Sequence, residues 1–193
     1  MSHDSAYLLK TSTLENMYLV PLSKAIEKNG GYVYSDTNRI LQLVIDLKTD
    51  ATATLDALVK LLHKFPLIIH NPVVRIVITG NRPADSLFIS YPAYIWFDGR
   101  LDRDYSKEAL CRIAMLSADF KNYSRWEGND TLPPFDKKVF SLLVKKAHLL
   151  KKPIRFWACP DGPGAWEELI RLNVDYINTD HIIALSRYLS QLN

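Results

Sequence analysis

From about residue 42 onward, short runs of β-branched and aromatic residues alternate with stretches whose apolar positions recur every three or four residues. The strands this pattern predicts are "QLVIDLK" at 42–48, "VVRIVIT" at 73–79, "AYIWF" at 93–97, "RIAMLSA" at 112–118, "PIRFWAC" at 153–159 and "VDYIN" at 174–178. Between them the helical period appears at 53–64, with Leu55, Leu58, Val59 and Leu62 on one face, and at 106–111. It returns at 135–150, with Phe135, Val139, Leu142, Leu143 and Ala147 as its apolar positions, then at 164–172 and at 180–191 with Asp180 as N-cap. The first 40 residues supply one helix, at about 12–28, and irregular chain, and the 80–92 connection carries no clear period.

Strands that alternate with helices imply parallel strands joined by right-handed crossovers. An open doubly wound sheet and a (β/α)8 barrel of the TIM type both satisfy that rule, but no glycine-rich phosphate fingerprint follows any strand. The barrel is further supported by polar groups at strand ends: Asp46 and Lys48, Thr79, Asp98, Asp119, Trp157, and Asn178 with Asp180. The expectation is a single α/β barrel domain over 1–193, with 1–40 preceding six βα repeats in 41–193.

Composition changes this picture little. The chain has 193 residues, 48% of them hydrophobic and 23% charged, which excludes a disordered or fibrous class. A net charge of +3 is too small to argue by itself for nucleic acid or membrane binding, and the lysine pairs at 137–138, 145–146 and 151–152 read as a solvated face. Cys111 and Cys159 are too few for a disulfide framework or a zinc site and read as buried thiols. No stretch is long and apolar enough to cross a bilayer, so the expected location is cytoplasmic as written, or secreted or periplasmic if a leader precedes Met1.

Candidate chemistry concentrates at the strand ends. In "VIDLKTD" alternation puts Val44, Asp46 and Lys48 on one face, where Asp46 could ligate a hard divalent cation and Lys48 could neutralise a phosphate; the alternative is a buried structural ion pair. Arg155 and Trp157 share a face, suited to a hydroxyl-rich or flat ligand that carries an anion, or equally to a core tryptophan with an arginine at the rim. His3 before Asp4 has the form of an oriented general acid or base, although a histidine so near a terminus is more often without a role. His63 lies in a helical segment that faces solvent or packs on the barrel, His70 precedes a turn, His148 suits a helix C-terminus and His181 a helix start.

Taken in order, "SHD", "STLENMYLVPL", "LVIDLKTD", "LSADF" and "RFWACPDGPGAWEELIRLNVDYINTD" resemble the phosphatidylinositol-specific phospholipase C and glycerophosphodiester phosphodiesterase superfamily. The resemblance implies a phosphoric diester hydrolase with two catalytic histidines and carboxylates around Ca2+ or Mg2+, acting on a phosphodiester small molecule or lipid headgroup. It assigns His3 to the second histidine, Asp46 to a metal-binding acid, Lys48 to the lysine two residues on, and Trp157 to an aromatic residue near the substrate. The superfamily's first histidine and its Glu-x-Asp pair have no counterpart here, so the chain is expected to lack about two βα units. An incomplete barrel of that kind would leave open edges along 42–48 and 174–178, suited to self-association. The rival expectation is a catalytically silent barrel that binds a phosphorylated ligand or a protein partner.

Overall fold

The computed structural model describes residues 12–192. Packing divides the chain into two compact units, Met1–Phe97 and Asp98–Asn193, with the boundary inside a strand.

Among the described residues of unit 1, a π-helical turn, Glu15–Leu19, runs into α1 (Val20–Lys28). Strand β1 (Leu41–Leu47) follows, then α2 (Ala51–Leu62), a short α3 (Pro66–Ile69), β2 (Val74–Gly80), a 3-10 turn at Asp85–Ser90, and β3 (Ile95–Arg100). The start of α2 is fixed by Asp50, whose Oδ1 accepts the Ala53 N–H at 2.8 Å. Leu55, Leu58 and Leu62 of α2 are buried, as the helical period predicts. β1 pairs in parallel with β2, and β2 with β3. Along β1, Ile45 and Leu47 are buried while Val44 and Asp46 are exposed, so the sheet has one apolar face and one mixed face.

Unit 2 takes the second half of β3 and continues with α4 (Lys107–Cys111), β4 (Ile113–Asp119), α5 (Pro134–Leu149), β5 (Ile154–Trp157), α6 (Pro163–Arg171), β6 (Tyr176–Ile177) and α7 (Ile182–Ser190). Here β4 pairs in parallel with β5, and β5 with β6. Its core is aromatic: Phe120 stacks on Phe140 of α5 with ring centroids 4.5 Å apart, and Phe140 meets Phe156 of β5 edge-on at 5.1 Å. Because Phe156 points into this core, alternation turns its neighbours Arg155 and Trp157 to the opposite face of the strand.

Strand order follows the chain, from β1 to β6. A doubly wound sheet would reverse direction at its middle; this one does not. The architecture is α/β of the TIM-barrel type, with six strands among the described residues. No described helix is long and apolar enough to cross a membrane.

Several expectations need correction. In α5 the buried residues are Phe140, Val144 and Ala147, whereas Phe135 and Leu142 are exposed. The last helix is capped at His181 rather than Asp180, with no side-chain cap bond. β5 stops at Trp157 because Ala158 takes φ 54°, a left-handed conformation that cannot continue a strand. The lysines are not all solvated: Lys146 donates to the Leu101 carbonyl at 2.8 Å, Lys152 to that of Ile113 at 2.7 Å, and Lys137 pairs with the buried Glu168 at 3.3 Å. Cys111 is exposed at the end of α4.

Candidate functional site

In unit 1, Asp46 sits one residue before the end of β1 and Lys48 just beyond it. Lys48 Nζ lies 2.6 Å from Asp46 Oδ2, with the lysine and aspartate side chains 60% and 42% exposed. The predicted pair therefore forms, but it is not the buried structural pair that was the alternative. While Asp46 Oδ2 meets Lys48, Oδ1 of the same carboxylate lies close to the backbone at Gly80. Gly80 ends β2 opposite Leu47 at φ +74°, and a Cβ there would overlap both Asp46 Oδ1 and the Leu47 carbonyl. Asn81 then ties the two strand ends together, its N–H donating to Leu47 O and its side-chain amide to Thr49 O, both at 2.8 Å. Elsewhere on the mixed face of this unit, the Arg75 guanidinium lies 4.5 Å above the Trp96 ring.

In unit 2, Arg155 is the centre of a buried polar cluster. Its Nη2 donates to Asp98 Oδ2 at 2.9 Å and its Nε to Ser117 Oγ at 3.1 Å. Asp98 and Ser117 are buried, and Ser117 stands beside Arg155 in the ladder. One step further along, Asp119 stands beside Trp157, whose ring is 45% exposed. Trp157 is thus no core tryptophan: it is a large aromatic surface held at a strand end, next to a fixed guanidinium.

The loop after β5 is braced by Asp161. Its Oδ1 accepts Trp166 Nε1 at 2.9 Å and its Oδ2 accepts the Asp180 N–H at 2.7 Å, joining the β5–α6 connection to the segment before α7. Burial pulls the Asp161 carboxyl upward, yet the hydrogen bonds from Thr179, Asp180 and Trp166 and the nearby His181 together hold it below the usual range. Cys159, in the same loop, is pushed up to about 12 by burial first and by Asp119 and Asp161 next. It stays a thiol at neutral pH and is no nucleophile. His148, in the last turn of α5, meets the Asp175 carboxylate at 2.8 Å, and the same carboxylate accepts the Ile154 N–H at the start of β5, away from the strand end that carries Trp157.

Of the predicted site residues, the structure joins Asp46 to Lys48 and puts Arg155 and Trp157 on one face of β5. His3 lies outside the described residues. Asp98 and Ser117 complete the Arg155 cluster and escaped the sequence reading, although Asp98 had been noticed as a strand-end acid. Among the described residues no group of three His, Cys, Asp or Glu comes together. Asp46 offers a single carboxylate that is already occupied by Lys48, so the described residues do not make a divalent-metal site by themselves.

A parallel α/β protein with cationic side chains and an exposed aromatic near its strand ends has the architecture of the TIM-barrel class, in which working groups lie at the C-terminal ends of the strands. The comparisons narrow that class. Residues 153–183 match the glycerophosphoryl diester phosphodiesterase family. The altered inheritance of mitochondria protein 6 of Eremothecium gossypii is 25% identical over 240 aligned residues, covering 97% of this chain and 59% of that protein. The chain thus spans about six-tenths of the length of the curated relative it matches. No solved structure matches it. Both findings support the phosphodiesterase superfamily that the sequence resembles.

Proposed function

We propose that this chain is a phosphoric diester hydrolase domain, of glycerophosphodiester or phosphoinositide type. The observation that carries the reading is a coincidence: the matched segment 153–183 is the one that presents Arg155, pinned by Asp98 and Ser117, beside the exposed Trp157. A guanidinium held in a fixed orientation meets phosphoryl oxygens without losing side-chain freedom, and an exposed indole supplies a face for the group esterified to it. In unit 1, taken by itself, Lys48 is an exposed cation of the kind that can meet charge growing on a phosphoryl oxygen. His3 serves in this reading as general acid or base. Asp46 would be at most one oxygen donor to Ca2+ or Mg2+, and no step is derived through the metal.

The second reading, a silent barrel that binds a phosphorylated ligand or a protein, is favoured by Asp46 standing as a single carboxylate already paired with Lys48. Bis(p-nitrophenyl) phosphate turnover with Ca2+ or Mg2+ titration separates the two. Metal-dependent hydrolysis that His3→Ala abolishes is the expected result. Saturable binding of glycerophosphate by the same preparation, without turnover, would replace the hydrolase by the silent barrel. The edges of β1 and β6 are proposed, in either case, as places where a second chain could pair.

A further inference from the structure

Helix α5 carries two apolar faces, and folding uses only one. At about 100° per residue, Phe140, Val144 and Ala147 form the buried face, pointing at the unit 2 core. Phe135, Leu142 and Leu149, seven residues apart in turn, lie within an arc of about 40° on the diametrically opposite side. They are 76%, 60% and 74% exposed, among the most exposed large apolar residues of the chain. Three large side chains along the outermost line of a helix gain nothing from the fold, since solvent covers them.

What borders this line identifies what it meets. Lys138 and Lys145 run beside it, and among the described residues neither has an ion-pair partner. The helix's one acid, Asp136, is turned aside to accept from Ser124 Oγ. A cavity of about 430 Å³ opens next to the line, bounded by Lys145, His148, Leu149 and Arg171. Arg171 is already held by Glu167 and Glu168 and His148 by Asp175, which leaves Lys145 as the lining cation with no ion-pair partner among the described residues. A coiled-coil partner would need apolar residues at two positions of each heptad; here the positions three on, 138 and 145, are both lysine, and of those four on, Val139 is followed by Lys146, which is tied to the Leu101 carbonyl. A single apolar row flanked by cations is the pattern of a helix lying in the headgroup layer of an acidic bilayer.

We propose that the outer face of α5 docks the protein onto an anionic lipid surface, with Phe135, Leu142 and Leu149 dipping among the acyl chains and Lys138 and Lys145 meeting headgroup phosphates. This docking is independent of the chemistry at the strand ends. The test is co-sedimentation of the full chain with phosphatidylcholine vesicles with and without phosphatidylserine. Binding is expected only to the vesicles that contain phosphatidylserine, and it should weaken as salt rises. Lys138→Gln with Lys145→Gln should lower partitioning about thirty-fold, at roughly five-fold per lysine. Replacing Phe135, Leu142 and Leu149 together by serine should abolish it while leaving the thermal melt unchanged, because none of the three packs in the core. Equal binding to pure phosphatidylcholine, no binding to either vesicle, or binding that both variants leave intact would each overturn the proposal. So would self-association of the wild type that the serine variant removes in the absence of vesicle binding, which would make this face a protein contact instead.

Discussion

Asp46–Lys48 in unit 1 and Asp98–Arg155 in unit 2 are the same chemical device, a carboxylate holding a cation at the end of a parallel strand, built in two opposite ways. The first pair comes from residues two apart and sits half in water, 2.6 Å between its atoms. The second joins residues 57 apart, is fixed by Ser117 as well, and is sealed, with side-chain exposures of 17% for Arg155 and 4% for Asp98. Water screens the first pair, so it can open at little cost and reshape around a ligand. The second was desolvated when the protein folded and is held in one geometry, which suits recognition and makes its breakage costly.

The sharpest way to break the contrast is Asp98→Ala. It leaves a buried guanidinium without its partner and should lower stability by about 3–5 kcal/mol in urea unfolding. Asp98→Leu combined with Arg155→Met should recover most of that loss, and a single-variant loss below about 1 kcal/mol would put the two pairs on equal footing. Next comes Gly80→Ala. A side chain there is strained at positive φ and collides with the Asp46 carboxylate, so about 2 kcal/mol should be lost, with the Asp46–Lys48 contact visibly displaced in a crystal structure of the variant.

Asp161 gives a smaller and pH-dependent effect. Its carboxyl is held below its unfolded value, so its contribution is complete above the ordinary aspartate range and disappears as pH falls through the lower folded value. Asp161→Asn should cost about 1 kcal/mol at neutral pH and should flatten the loss of stability below about pH 4. An unchanged acid limb in the melting profile would show that its hydrogen bonds persist without the charge. The smallest effect belongs to Lys48→Met, which should change stability by less than about 1 kcal/mol while reducing phosphodiester turnover.

The difference between the two pairs also marks what was legible in the chain. Alternation in "LVIDLK" was enough to put Asp46 opposite Ile45 and Leu47, because a strand's faces are decided by parity alone. The Asp98–Arg155 contact depends on which strands become neighbours, which no local pattern encodes. α5 was misread for a related reason. Phe135 and Leu142 are as apolar as Phe140 and Val144, and a helical period reports apolar positions without saying which of two faces the core will take. The tethered lysines were hidden likewise, since a carbonyl acceptor such as that of Leu101 leaves no mark in sequence. The helix start falls one residue after Asp180, at His181, while Asp161, nineteen residues earlier, accepts the Asp180 N–H.

Trp96, lying under Arg75, is the sole indole in the first ninety-seven residues; the other three, Trp126, Trp157 and Trp166, all fall after Phe97. Intrinsic fluorescence is therefore a lopsided optical gauge. A Trp96→Phe protein would emit only from the later half, and subtracting its melting trace from the parent's would isolate the earlier half's own transition. Whether the halves come apart together or in sequence could then be timed with no added dye.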